Sequence, residues 1–383
     1  MRSHSNCLTT FSKVFKQTSH KIKSQLGGNK AKKQYLALPD GLCRQFSLAE
    51  IKAATKNFHE DMIIGQGSYV GSIYRGIIDD GTLAVAVKCF KNFDQELIMG
   101  GGVQEFRTEV QFLCQLRHPN LVPLIGFCNE KNHMILLYEY SGKGTLYDHL
   151  HGECDPLPWK QRLKICIGAA RGLHYLHAGA KHAVIHRNIN SSNILLDQEW
   201  GFKLSDFGYS MFGPPAMSNA LRQIEQDLVG TETTEGYIGE EQLQNHLVTD
   251  ESDVYSFGIL LFEVLCGGEV IVPLYLIFTC IENETIHRII DPHLKGKIAP
   301  ECFRKFVEIA YSCIGKKGNE QPAMGEVQVM LEHVLELQNK ADSEMKSINP
   351  HAECVYPEAS FQASVDYAIP DFYFGGGGVR LSL

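Results

Sequence analysis

The feature that most limits what this chain can fold into is a set of five short motifs in a fixed order. Gly65-Gln66-Gly67-Ser68-Tyr69-Val70-Gly71 lies between two strand-like runs, where glycines let backbone N–H groups approach phosphate closely. Val85-Ala86-Val87-Lys88 puts a lysine on the third run, and Glu109 on the following helical pattern is placed to pair with it. His186-Arg187-Asn188 precedes Asn193, and Asp206-Phe207-Gly208 follows a short strand-like run over 202–204. A glycine-rich turn alone is a common structural hairpin. Its weight comes from the lysine, glutamate, asparagine and aspartate that follow it in order.

The surrounding pattern supplies a scaffold. Ser47 and Glu50 have the spacing of a capping box at the head of LAEIKAATKNF. Strand-like runs follow over 63–67, 72–75 and 83–90. Phe106, Val110 and Leu113 recur at helical spacing and predict a helix over 103–116. Runs over 121–128 and 134–140 complete a small sheet with one helix. Beyond Gly144 the pattern predicts helices over 146–150, 159–177, 250–265, 300–314 and 324–340. Strands followed by a block of helices argue for an α+β architecture in two lobes. The expected division is a basic flexible tail over 1–45, a β-rich lobe over 46–140, a helical lobe over 141–340 and a flexible tail over 341–383.

The ordered motifs are the protein-kinase signature. FSLAEIKAATKNF, LRHPNLVPLIGFC, ICIGAARGLHYLH, NILLD and SDVYSFGILLFEVL, spread over 46–337, resemble plant receptor-like kinases. The likeness is greatest to the subgroup with malectin-like ectodomains and to its cytoplasmic relatives. It implies a two-lobed protein-kinase fold and a Ser/Thr kinase of the cytoplasm or the inner face of the plasma membrane. It also implies ATP and Mg²⁺ as cofactors. Gly65, Gly67 and Gly71 would cover the phosphates, Lys88 would hold them with Glu109 beside it, and Ala86, Glu139, Tyr140 and Leu195 would surround the nucleotide. Asn193 and Asp206 would hold the metal. Tyr138 matches the family's gatekeeper tyrosine, and Asp253 matches the buried aspartate that anchors the catalytic loop.

Several positions depart from the family. Asn188 stands where it has the catalytic aspartate, and an amide cannot take up the hydroxyl proton. Asn190 stands where it has a lysine near the γ-phosphate, so a charge facing the transferred group is gone. One extra residue precedes Gly71, and the segment 230–237 has three more residues than the family places there. Gln321 replaces the arginine that Glu241 would pair with, and 267–290 is short and expected to lack the family's helix. These changes point to a nucleotide-binding pseudokinase that serves as a scaffold or decoy for an active receptor-like kinase or immune receptor. A weakly active Ser/Thr kinase is the alternative, and a decaying gene product without stable function is a third reading. Ser210, Ser218, Thr231, Thr233 and Thr234 are expected phosphate acceptors for a partner kinase, with Arg187 as the cation that receives the phosphate.

Composition narrows the remaining classes. At 44% hydrophobic and 21% charged the chain is globular rather than disordered. Residues 1–39 hold eight Lys or Arg and no acidic residue, although the whole chain carries a net −8. The body is therefore acidic, which argues against a nucleic-acid partner. The basic tail, with Phe11, Phe15, Ile22 and Leu26 on helical faces and Cys7 available for acylation, is a candidate for peripheral membrane contact. The twelve cysteines form no C-x-x-C pair. Cys114, Cys128 and Cys166 lie in apolar surroundings, where a thiol acts as a small hydrophobe, so a reducing compartment is expected. His174 and His177 on one helix lack the further ligands a metal would need.

Overall fold

The computed structural model describes residues 43–66, 70–90, 101–130, 133–152, 154–213, 248–267, 274–314, 321–351 and 353–357. The β-rich lobe opens with β1 (Arg44–Gln45) and α1 (Leu48–Ala54). The capping box is formed: Glu50 N–H donates to Ser47 Oγ at 3.3 Å, and Ser47 N–H donates to Glu50 Oε2 at 2.7 Å. Five strands and a helix follow in order: β2 (Ile63–Gln66), β3 (Val70–Ile78), β4 (Leu83–Phe90), α2 (Gly101–Leu113), β5 (Leu124–Glu130) and β6 (His133–Glu139) complete the lobe.

The strands form one sheet in the order β1-β5-β6-β4-β3-β2, antiparallel except where β1 runs parallel to β5. Apolar residues of α1 and the strands share one core: Phe46, Ile51, Ile78, Val85, Val87 and Leu137 are all buried in it. Gly126 is where β1 crosses β5. A Cβ there would collide with the Arg44 carbonyl and the Phe46 ring. The β3–β4 ladder slips by a residue between Val70 and Ile73, a bulge that includes Gly71.

The helical lobe contains α3 (Leu146–His151) and α4 (Trp159–His174), which ends in a π-helical turn over Tyr175–Gly179. Short strands follow, β7 (Val184–Ile185), β8 (Ile194–Leu196), β9 (Phe202–Leu204) and β10 (Met211–Phe212), pairing as β7 with β10 and β8 with β9. Helices α5 (Asp250–Cys266), α6 (Leu274–Glu282), α7 (Pro300–Ile314) and α8 (Met324–Ile348) complete it. α5 is buried along most of its length and packs on α7, while α8 packs on α4 and α7. Buried Arg162 ties three pieces together. It pairs with Asp291 and donates to the Leu157 and Val264 carbonyls at 3.0 and 2.8 Å. Among the described residues no helix is long and apolar enough to cross a membrane.

Three expectations are corrected. The stretch expected to lack a helix contains α6, with Ile277, Phe278 and Ile281 buried at helical spacing. A continuous apolar run hides that spacing from a periodicity test. Cys114 is not a free thiol but is bonded to Cys43, two residues far apart in sequence that the fold brings together. The last helix continues beyond Lys340 to Ile348 because neither glycine nor proline stands between Lys340 and Pro350.

Candidate active site

Lys88 sits on the central strand β4, between Ile73 of β3 and Leu136 of β6 in register. Glu105 and Glu109 lie four residues apart on α2 and so share one helix face. That face meets the strand at Lys88, whose Nζ donates to Glu109 Oε1 at 2.5 Å and to Glu105 Oε1 at 3.3 Å. Asp206 Oδ1 accepts from the same ammonium at 2.9 Å. Tyr138 O–H donates to the other Glu109 oxygen. Burial alone would lower the Lys88 pKa, but the charges of Asp206 and Glu109 outweigh it and hold the ammonium well above its ordinary value. Burial pushes the Glu109 carboxyl up to about 7 against the pull of Lys88. Burial would also raise Asp206, yet the Lys88 charge keeps it below the usual carboxylate range.

The loop beneath is organised from α5. Asp253 accepts from the His186 and Arg187 backbone N–H groups at 2.7 and 2.8 Å, and from His177 Nε2 at 2.9 Å. His186 is fixed in one tautomer: Nε2 donates to the Ser205 carbonyl at 3.1 Å and Nδ1 accepts from Asn188 N–H at 3.2 Å. Arg187 takes the left-handed backbone, φ +71°, which turns Asn188 toward Asp206. Asn188 Nδ2 donates to Asp206 Oδ2 at 2.5 Å, Asn190 Nδ2 donates to Asn188 Oδ1 at 3.0 Å, and Asn193 Nδ2 donates to the Asn188 carbonyl at 2.8 Å. Asp206 is itself left-handed at φ +65°. Phe207 is fully buried against the His186 ring, and Gly208 leaves no room for a Cβ beside Glu105.

A strand lysine paired with a helix glutamate, above an Asp-Phe-Gly aspartate and a loop asparagine, is the frame that holds a nucleoside triphosphate and its cation. Residues 58–331 match the family described as protein tyrosine and serine/threonine kinase. The chain belongs to this protein kinase family. The receptor-like protein kinase FERONIA of Arabidopsis thaliana is 46% identical over 322 residues, which cover 82% of this kinase chain and 35% of FERONIA. ANXUR2 and ANXUR1, receptor-like protein kinases of the same plant, are 43% and 42% identical, over 84% and 85% of this chain. The chain spans little more than a third of the length of these relatives.

The structure brings together Lys88, Glu109, Asn188, Asn190, Asn193 and Asp206. Gly65 lies on β2 against Ile73, and Gly71 lies within β3; Gly67 is outside the described residues. Ala86 faces Tyr138 across β4 and β6, Glu139 ends β6, and Tyr140 N–H donates to the Ala84 carbonyl at 3.4 Å. Leu195 lies on β8, bridged to Thr145. Glu241 and the segment 214–247 are outside the described residues. Gln321 donates to the Cys313 carbonyl at 2.7 Å and so satisfies an orphan carbonyl at the end of α7. Ser210 corrects an expectation. It is buried and donates to the His186 carbonyl at 3.2 Å, which leaves it inaccessible to another kinase.

Sequence reasoning missed Glu105. The signal was available, since four residues before Glu109 is the same face of α2. The kinase family uses ATP and Mg²⁺ in general. Asp206 and Asn193 supply a carboxylate and an amide oxygen, hard donors that suit Mg²⁺. The Asn193 oxygen is on the side of the amide that its bond to Asn188 does not use. Both oxygens of Asp206 are bound, one to Lys88 and the other to Asn188.

Proposed function

We propose that this kinase-family chain binds ATP through Lys88 and Asp206 but transfers phosphate poorly or not at all, acting as a scaffold or decoy in signalling by a receptor kinase or immune receptor. The observation that carries the reading is the Asn190–Asn188–Asp206 hydrogen-bond chain. An aspartate at 188 would orient the attacking hydroxyl and accept its proton. The amide instead spends its nitrogen on Asp206 and its oxygen on Asn190. The Asn190 nitrogen is turned back into the loop, and its oxygen accepts from Ser192 N–H at 3.0 Å. No cation at 190 therefore faces a transferred phosphoryl group. Loss of a positioned base alone removes about 10²–10⁴ in rate.

When bound, Mg²⁺ would supply positive charge against the phosphates. Asp206 and Asn193 would hold it, and Lys88, kept in place by Glu109, would meet the phosphates. The test is radiolabel transfer from Mg²⁺-ATP beside the Asn188→Asp, Asn190→Lys double variant. Background incorporation by the native chain with gain in the double variant supports the reading. Incorporation by the native chain that disappears in Asp206→Asn overturns it.

One observation favours a weakly active Ser/Thr kinase instead: the Lys88–Glu109 pair and the Asp206 contact are both formed, which active kinases require. The same radiolabel experiment separates the two. The basic segment 1–45 supports a cytoplasmic protein held at the inner face of the plasma membrane. Anionic lipid attracts such segments at about 1 kcal/mol per basic residue.

A further inference from the structure

Cys43 and Cys114 are joined by a disulfide. Cys43 stands immediately before β1 and is half-exposed, while Cys114 is the first residue past α2 and is buried. Their Cα atoms lie 5.6 Å apart, within the span a disulfide bridges. Forces other than the bond itself fix both positions. Arg44 and Gln45 pair in register with Gly126 and Phe127, and Phe46 N–H donates to the Phe127 carbonyl at 2.9 Å. Phe106, Val110 and Leu113 anchor α2 in the core. The two sulfurs therefore face each other in the dithiol form as well. Four buried thiols are poor candidates for this chemistry: burial pushes Cys166, Cys266, Cys302 and Cys313 up to about 12, which keeps them protonated and unreactive.

We infer that Cys43 and Cys114 are a reversible thiol–disulfide site, closed by a hydroperoxide and opened by a small thiol such as glutathione. The half-exposed Cys43 thiolate attacks a peroxide oxygen, giving a sulfenic acid and, with hydrogen peroxide, one water after protonation. The Cys114 sulfur then attacks the Cys43 sulfur, the S–S bond forms, and the sulfenic oxygen leaves with the thiol proton as a second water. Two thiols are oxidised and the peroxide is reduced. Two glutathione thiols return the pair to the dithiol and leave as glutathione disulfide. In a reducing compartment the dithiol is the resting form, and the bond records exposure to peroxide.

The consequence is mechanical. The bond ties β1 to the end of the helix that carries Glu105 and Glu109. β1 is an edge strand of two residues, held otherwise by a few backbone bonds. The bonded cysteines are 71 residues apart, and a cross-link over so long a loop restricts the unfolded chain strongly. Oxidation thus raises stability and quiets the β1–α2 junction, whatever the chain does with nucleotide.

The test uses the full chain, reduced, then treated with hydrogen peroxide, alkylated and digested without reductant. The expected result is a peptide linked through Cys43 and Cys114 that glutathione releases. It is accompanied by a rise in melting temperature of about 5–10 °C and slower amide exchange over 44–46 and 110–116. Cys43→Ser should melt with the reduced native chain and show no rise with peroxide. Cys114 fully alkylated after peroxide treatment, or equal melting of the reduced and linked forms, overturns the inference.

Discussion

The Asn188 side-chain nitrogen lies 2.5 Å from Asp206 Oδ2, and the Asn188 oxygen accepts from Asn190. The two changed positions of the catalytic loop are therefore one hydrogen-bonded unit. One bond joins the two amides, and the Asn188 nitrogen binds the aspartate that holds metal in active kinases. In the family pattern two carboxylates would meet at 188 and 206, and a cation would keep them together. Here the Asn188 amide joins the two positions by a direct hydrogen bond.

A stability test follows from this geometry. Asn188→Asp places a second carboxylate against Asp206 and leaves both without the donor. The variant should lose about 1–3 kcal/mol in chelator and recover most of it as Mg²⁺ is added, while the native chain responds little. Melting curves with EDTA and across a Mg²⁺ titration check it. Equal cation response of the two proteins would show that the Asn188 contact has no such role.

Lys88 is the charge that lets Glu105, Glu109 and Asp206 crowd together. Lys88→Met should cost about 3–5 kcal/mol by leaving buried carboxylates unpaired. In the variant Glu105 and Glu109, already raised by burial, rise further, and Asp206 loses the Lys88 charge that holds it down, so burial raises it as well. Such groups contribute stability below the unfolded pKa and lose it as pH rises through the folded one. The deficit should therefore be small near pH 5 and full near pH 8, roughly the span of those shifts. The ATP-induced rise in melting temperature expected of the native chain should disappear in this variant. A deficit independent of pH would contradict the carboxylate account.

The Lys88–Glu109 pair and the two lobes were legible in the sequence because the motifs stand in a fixed order and strand-like runs precede a block of helical patterns. Asn188 and Asn190 were legible as departures, but their mutual bond was not. Nothing in the sequence says that the Asn190 amide turns inward. The strand β1 escaped notice because two residues carry no period, and only Gly126, a glycine within an apolar run, marks where it crosses. The Cys43–Cys114 bond depends on that crossing and so was equally hidden. Helix α6 was missed because its apolar residues are continuous. The buried Arg162–Asp291 pair joins positions 129 residues apart, beyond any local pattern.

Asp253 makes the loop's stability depend on acid. Burial raises its carboxyl, but hydrogen bonding and charge from His177, with His186 and the Arg187 N–H, hold it below the ordinary value. A carboxylate lowered in this way contributes stability above its unfolded pKa, about 3.9, and that contribution is lost as pH falls through the folded value. Between that point and neutrality two groups oppose each other. Burial lowers His186, which loses stability on acidification, whereas the raised Glu109 gains it. Asp253→Asn should cost about 3–5 kcal/mol at neutral pH and flatten the acid limb of the stability curve. Denaturant melts across pH check both, and an unchanged acid limb would assign that limb to other carboxylates.

The last prediction concerns Arg187. Its Nη1 donates to the Tyr209 carbonyl at 3.0 Å, while Nε and Nη2 are buried without a hydrogen-bond partner among the described residues. Burial lowers the guanidinium to about 10, so it remains charged at neutral pH. A buried cation with two unused donors in a fork suits a phosphate, which brings about −1.5 to −2 charge and three acceptors. Ser210 is excluded as the source, being buried on the His186 carbonyl. Thr231, Thr233 and Thr234 lie on the segment that the kinase family phosphorylates, outside the described residues. Incubation with an active receptor kinase should phosphorylate this segment, raise the melting temperature and slow exchange around Arg187. Arg187→Gln should accept the same phosphate without the rise. Arg187→Lys should restore part of it, because an ammonium keeps the charge but not the fork. Mass spectrometry locates the phosphate and calorimetry reads the coupling. Phosphate confined to residues 1–45, or a rise in melting temperature that survives Arg187→Gln, would remove Arg187 from the switch.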